Sequence, residues 1–166
     1  LEVFKRQGKF LDLDFSYLPC NGSSNVIMMS KKFHPKENQM MIALFDNDGA
    51  GWNSIRDVFS LDKNINKRTF GKAQKKEDIW YALIPVPKGR KGDINIEDYF
   101  HHSVLSKFVM SFKTLNDIVE KNGLKSKLAD MCNNNELPDI KFSKFEKLFD
   151  FIVEIKQADA DGKNKI

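Results

Sequence analysis

Apolar positions along this chain fall into two patterns, continuous runs in the first two thirds and helical spacings in the last third. Residues 40–45 (Met-Met-Ile-Ala-Leu-Phe) and 79–86 (Ile-Trp-Tyr-Ala-Leu-Ile-Pro-Val) are unbroken apolar runs. Such runs are what strands buried on both faces require. Residues 50–59, between them, predict a helix. Upstream, residues 1–10 read as the end of a helix stopped near Gly8. Residues 15–18 read as a short strand closed by Pro19. A turn over 20–25 then opens a helix through Phe33, capped by Ser24 or Asn25. The order strand, helix, strand, helix, strand predicts a parallel sheet with crossover helices. Residues 40–45 are expected as a central strand, with 79–86 in the same sheet.

Beyond residue 104 the spacing turns helical, over 104–112, 114–120, 125–132 and 142–156. Phe142, Phe145, Leu148, Phe149 and Ile152 form one stripe of a helix starting near Ser143. A stripe of this kind is read as core, not as a ligand site. The expected fold class is α/β, a Rossmann-like central parallel sheet flanked by helices with a helical C-terminal extension. Residues 1–110 form the α/β core on this reading, and 111–166 the extension packed on it.

At 166 residues the chain has the size of one domain, and 41% hydrophobic residues, 14 of them Phe, can fill a core. That composition argues against global disorder. No apolar run approaches the roughly 20 residues of a membrane span, and no secretory pattern opens the sequence. Cys20 and Cys132 lie far apart without metal spacing, so reduced thiols and a cytoplasmic location are expected. The net charge of +4 is unevenly placed. Residues 63–91 hold nine basic residues (Lys63, Lys67, Arg68, Lys72, Lys75, Lys76, Lys88, Arg90, Lys91) against Glu77 and Asp78. A solvated lysine-rich loop accounts for such a run, and so does a polyanionic partner.

Candidate chemistry concentrates where the first apolar run ends, at Asp46-Asn47-Asp48-Gly49-Ala50-Gly51. Aspartates at i and i+2 share a face of a strand, and at a strand end both carboxylates can converge on one hard cation. Mg²⁺ is commonly held by one or two carboxylates, with water and phosphate completing its shell. An ordinary turn of Asp, Asn and Gly is the competing reading. An EF-hand register fails, because it places Leu44 at position 1 and Ile55 at position 12, where acidic ligands are needed. Asp159-Ala160-Asp161-Gly162 repeats the pattern too near the chain end for a loop and reads as a polar tail. His34, His101 and His102 read as surface histidines, with His101 four residues beyond Glu97 as the one placed to approach a site.

The order of these signals resembles the Toprim domain, and within that group the Toprim half of the overcoming-lysogenization-defect (OLD) nucleases. Four stretches carry the resemblance: Leu18 to Val26, Ala43 to Gly51 with its Asp-x-Asp, Ile84 to Pro87 followed by Ile96-Glu97-Asp98-Tyr99-Phe100, and Lys125-Ser126-Lys127-Leu128-Ala129. Together they span most of residues 10–155. The resemblance implies metal-dependent cleavage of DNA phosphodiesters with Mg²⁺ or Mn²⁺. By carry-over, Asp46 and Asp48 are the principal metal ligands, Glu97 the third acid and Asp98 a helper. Lys125, or Lys127 close by, would stabilise developing phosphate charge. The implied partners are DNA and an ABC-type ATPase domain of the same protein, with room for a homo-oligomer and no membrane. A role in phage defence goes with that architecture.

Toprim domains also carry a glutamate on their first strand, and this sequence has no matching motif; either that strand lies upstream of Leu1 or the domain is degenerate. The sequence contains no Gly-x-x-x-x-Gly-Lys-Ser/Thr phosphate loop. Two other functions stay open: a Toprim of the primase or topoisomerase kind, and a degenerate, receiver-like module used for assembly. The joint presence of Asp46, Asp48 and Glu97 favours the nuclease.

Overall fold

The computed structural model describes residues 1–18, 20, 22–36, 39–59, 70–73, 76–106, 128, 130–132, 134 and 139–162. Helices α1 (Glu2–Arg6) and α2 (Ser23–Lys32) precede strand β1 (Met41–Phe45), which runs into α3 (Gly49–Phe59). Strands β2 (Phe70–Ala73) and β3 (Lys76–Leu83) follow, then a 3-10 turn (Ile96–Tyr99) and the short α4 (His102–Leu105). A second 3-10 segment (Asp139–Phe145) leads into the 15-residue α5 (Glu146–Ala160). Among the described residues, no helix is long and apolar enough to cross a membrane.

The sheet has the order β1-β3-β2. β1 and β3 are parallel, with Met41 opposite Ile79 and Phe45 opposite Leu83, while β2 is antiparallel to β3. Alternation along the strands sends two residue sets to opposite faces. Ala43, Phe45, Tyr81 and Leu83 meet Val26 and Ile27 of α2 and Ile55 of α3. On the other face Trp80 and Ala82 pack with Phe151, Ile155 and Ala158 of α5, and Ile84 with Leu148, Phe149 and Ile152. Both faces are covered, which is why the strands read as unbroken apolar runs. The aromatic stripe of α5 is core, as its spacing predicts. Phe4 of α1 stacks edge-on against Phe149 at 5.4 Å.

Several expectations change. The sheet is mixed, and β3 holds its centre; β1, expected there, borders the described strands. Apolar runs report burial of both faces, and helices on both sides bury a border strand as well as a central one. β3 also starts earlier than its apolar run, because hairpin pairing with β2 is a backbone matter that Lys76, Glu77 and Asp78 do not interrupt. It stops at Leu83, since Pro85 and Pro87 bring no N–H to a ladder. Residues 15–18 form no strand, and Phe15, Tyr17 and Leu18 are exposed. α5 begins without a side-chain cap, continuing from the 3-10 segment. Helices expected over 107–127 lie outside the described residues.

The supposed polar tail also has a structural task. Asp159 closes α5, and its Oδ1 accepts a 2.8 Å hydrogen bond from Nε1 of the fully buried Trp80. Removing the acceptor leaves a buried indole N–H unmatched, at a cost of about 1–3 kcal/mol. Asp159→Ala should therefore melt several degrees below the wild type, while Asp159→Asn, which keeps an acceptor, should recover most of the difference. Equal melting of the alanine variant and the wild type would show that this bond is immaterial.

Candidate functional site

The parallel pair β1/β3 ends on one side of the sheet, and the acidic segment begins there. Ile84 N–H donates to Phe45 O at 2.9 Å, carrying the pairing one step past the strands. Asn47 then anchors the loop from three directions. Its N–H donates to Ile94 O (2.8 Å), its O accepts from Ile94 N–H (2.9 Å), and its Nδ2 donates to Ile84 O (3.1 Å). With Asn47 turned toward these partners, the half-buried Asp46 and Asp48 flank it.

Each aspartate has a local partner. Asp46 Oδ1 accepts from Ile96 N–H at 3.1 Å, which docks the 3-10 turn onto the strand end. Asp48 Oδ1 accepts from Gly51 N–H at 2.7 Å, the N-cap bond that starts α3. Gly51 is needed for a second reason. A Cβ built on it would lie 2.0 Å from the backbone oxygen of Asp46, so α3 passes the strand end at a distance only glycine permits.

The Ile96–Tyr99 turn is held just as closely. Asp98 Oδ2 accepts from Asn95 N–H at 2.9 Å in a reciprocal capping box, and Oδ1 pairs with the Arg90 guanidinium. Tyr99 is buried with its hydroxyl donating to Pro85 O, and burial pushes its pKa well above the usual tyrosine value. Lys144 Nζ donates to Asp98 O and Phe100 O, both at 3.4 Å. Burial, with the Arg90 charge adding to it, holds the Lys144 ammonium below the usual lysine pKa. Glu97 sits on this turn and is only 1% exposed.

Asp46, Asp48, Glu97 and Asp98 thus belong to two elements docked together at the C-terminal edge of β1. They are not drawn into a ready-made cage. Among the described residues, no three of His, Cys, Asp and Glu gather in a group that could hold a metal ion. Both oxygens of Asp98 are already engaged, Oδ2 by the Asn95 N–H and Oδ1 by Arg90. Lys125 and Lys127 lie outside the described residues, as do Lys63, Lys67, Arg68 and Lys75 of the basic segment. Lys88, Arg90 and Lys91 are exposed on the loop after β3. His101 caps α4, its Nδ1 accepting from Ser103 N–H at 3.3 Å, and it is exposed like His34 and His102.

No family model, curated protein or solved structure matches the chain.

Three residues whose individual roles no sequence pattern assigns shape this region: Asn47, Gly51 and Lys144. Asn47 stood between two acids and read as turn composition. Gly51 was visible as part of Ala-Gly after the acids, but its need follows from an approach that only folding creates. Lys144 gave no signal, being 46 residues from the turn it caps.

Proposed function

We propose that this chain carries metal-dependent cleavage of DNA phosphodiesters, with Asp46 and Asp48 as metal ligands and Glu97 as the third acid. One observation supports the reading most: the Asp46 carboxylate accepts the Ile96 N–H, so the Asp-x-Asp segment and the Glu97 turn share one edge of the sheet. Open α/β sheets take their ligands beyond the C-terminal ends of parallel strands. Two half-buried aspartates supply the one or two carboxylates that Mg²⁺ commonly takes, leaving its remaining positions to water and phosphate oxygens. A bound ion would polarise a phosphoryl oxygen and lower the pKa of an attacking water. Asn47 and Ile96 hold the Asp46 backbone and carboxylate in place, and the Asp48 cap fixes the loop against α3. Lys125, or Lys127, supplies charge for the phosphate in this proposal. The wider proposal is a Toprim-like domain working with an ABC-type ATPase in an OLD-type defence nuclease in the cytoplasm.

A second reading, a non-catalytic assembly module, draws on a specific observation. Asp48 and Asp98 already bind local backbone, and the acids form no three-ligand group among the described residues. Calorimetric titration with Mn²⁺ separates the two. The nuclease reading expects saturable uptake that disappears in an Asp46→Ala/Asp48→Ala variant. Uptake that is absent, or indifferent to both substitutions, leaves the assembly reading.

A further inference from the structure

The loop after β3 and the start of α5 bring together cations that the sequence holds more than 50 residues apart. Lys88, Arg90 and Lys91 are exposed on that loop, which folds back through a turn in which Arg90 N–H donates to Pro87 O at 3.1 Å. Lys147, also exposed, crosses from α5 to donate to Val86 O at 2.6 Å. Lys144 and Arg90 meet at Asp98, Lys144 Nζ donating to its backbone O and the Arg90 guanidinium pairing with its carboxylate. Nearby acids only partly offset this charge: Asp98 pairs with Arg90, Asp93 and Asp150 are exposed, and Glu146 is occupied by Lys9. Lys144 and Lys147 also flank the N-terminal end of α5, where the helix dipole is already positive. Placing cations there costs stability, which their bonds to Asp98 O, Phe100 O and Val86 O offset.

We infer that Lys88, Arg90, Lys91, Lys144 and Lys147 form a track for the phosphate backbone of duplex DNA, leading to the Asp46 edge. The inference rests on the proposed action on DNA and assigns its docking surface. A chain of contacts joins track to edge: Arg90 holds Asp98, and the turn carrying Asp98 is bound through Ile96 to Asp46. The chemistry selects a phosphate backbone over a lipid surface. Among the described residues, none of the exposed large hydrophobics (Leu11, Phe15, Tyr17, Leu18, Met28, Phe33) belongs to this loop or to α5, though Phe15 packs on Phe149 of α5, so the cationic loop itself offers no large apolar side chain for membrane insertion. Contacts of such cations with phosphates give sequence-independent, salt-sensitive binding.

Fluorescence anisotropy with a labelled duplex of arbitrary sequence tests the track. EDTA in the buffer keeps metal chemistry out of the readout, so failure to bind is distinct from failure to cleave. Lys88→Gln/Lys91→Gln/Lys147→Gln should weaken binding about tenfold or more near physiological salt and flatten the plot of log affinity against log salt by roughly two to three. Lys88→Gln/Lys91→Gln, which spares the Lys147–Val86 bond, should flatten it by roughly two. Lys31→Gln/Lys32→Gln/Lys36→Gln removes equal charge at and beyond the end of α2, across the sheet, and should leave affinity nearly unchanged. Equal losses in both triple variants would overturn the track, as would a wild-type chain that binds no duplex or prefers phosphatidylserine vesicles.

Discussion

Asp46→Asn should abolish Mg²⁺- or Mn²⁺-dependent plasmid nicking while leaving the fold intact. The substitution keeps an oxygen able to accept the Ile96 N–H but removes the charge that would hold a cation on the proposed function. Changes in the groups that merely orient metal ligands cost about 10–100-fold. Loss of a ligand's charge should cost on the order of a hundredfold or more. Asp46→Ala loses charge and acceptor together, so it should also release the 3-10 turn and melt below the asparagine variant. That difference separates the two duties of one side chain. Undiminished nicking by Asp46→Asn, with melting unchanged, would sink the metal mechanism while leaving the fold as described.

The second large effect is expected at Gly51. In an ordinary helix, replacing glycine by alanine gains about 0.5–1 kcal/mol. At Gly51 the new methyl would meet the Asp46 carbonyl oxygen at 2.0 Å and Leu83 Cδ2 at 3.3 Å. The nearest neighbour is backbone of a paired strand end and cannot swing aside. Overpacking of this kind costs about 1–3 kcal/mol, occasionally more, which outweighs the helix gain. Gly49, two residues earlier in the same helix, has nothing within 4 Å of a built Cβ. Gly49→Ala should be neutral or mildly stabilising, and Gly51→Ala clearly destabilising, in urea denaturation. Because the displaced atom belongs to Asp46, Gly51→Ala should also weaken any Mn²⁺ uptake. Two variants of equal stability would refute the close approach.

The local elements were largely legible, because their signals are local. Ser23–Lys32, Met41–Phe45 and Gly49–Phe59 fall within a residue or two of their expected places. The stripe on Glu146–Ala160 is core because helical spacing alone puts Leu148, Phe149 and Ile152 on one side. The acidic strand end and its tight exit into a helix were equally readable.

Residue order alone dictates which segments bury both faces, which helix has an apolar side, and where two carboxylates leave a strand together. Strand order, the antiparallel β2, and the docking of the Ile96–Tyr99 turn on Asp46 are settled in three dimensions. Tertiary packing also decides that Asp159 serves Trp80, that Gly51 lies against a carbonyl, that Lys144 caps the Asp98 turn, and that Lys147 ties α5 to Val86 ahead of the Lys88–Lys91 loop. Hydrophobic periodicity records how each segment meets solvent. Hydrogen bonds and charge pairs between distant segments depend on which backbones come together, and no spacing along the chain encodes that.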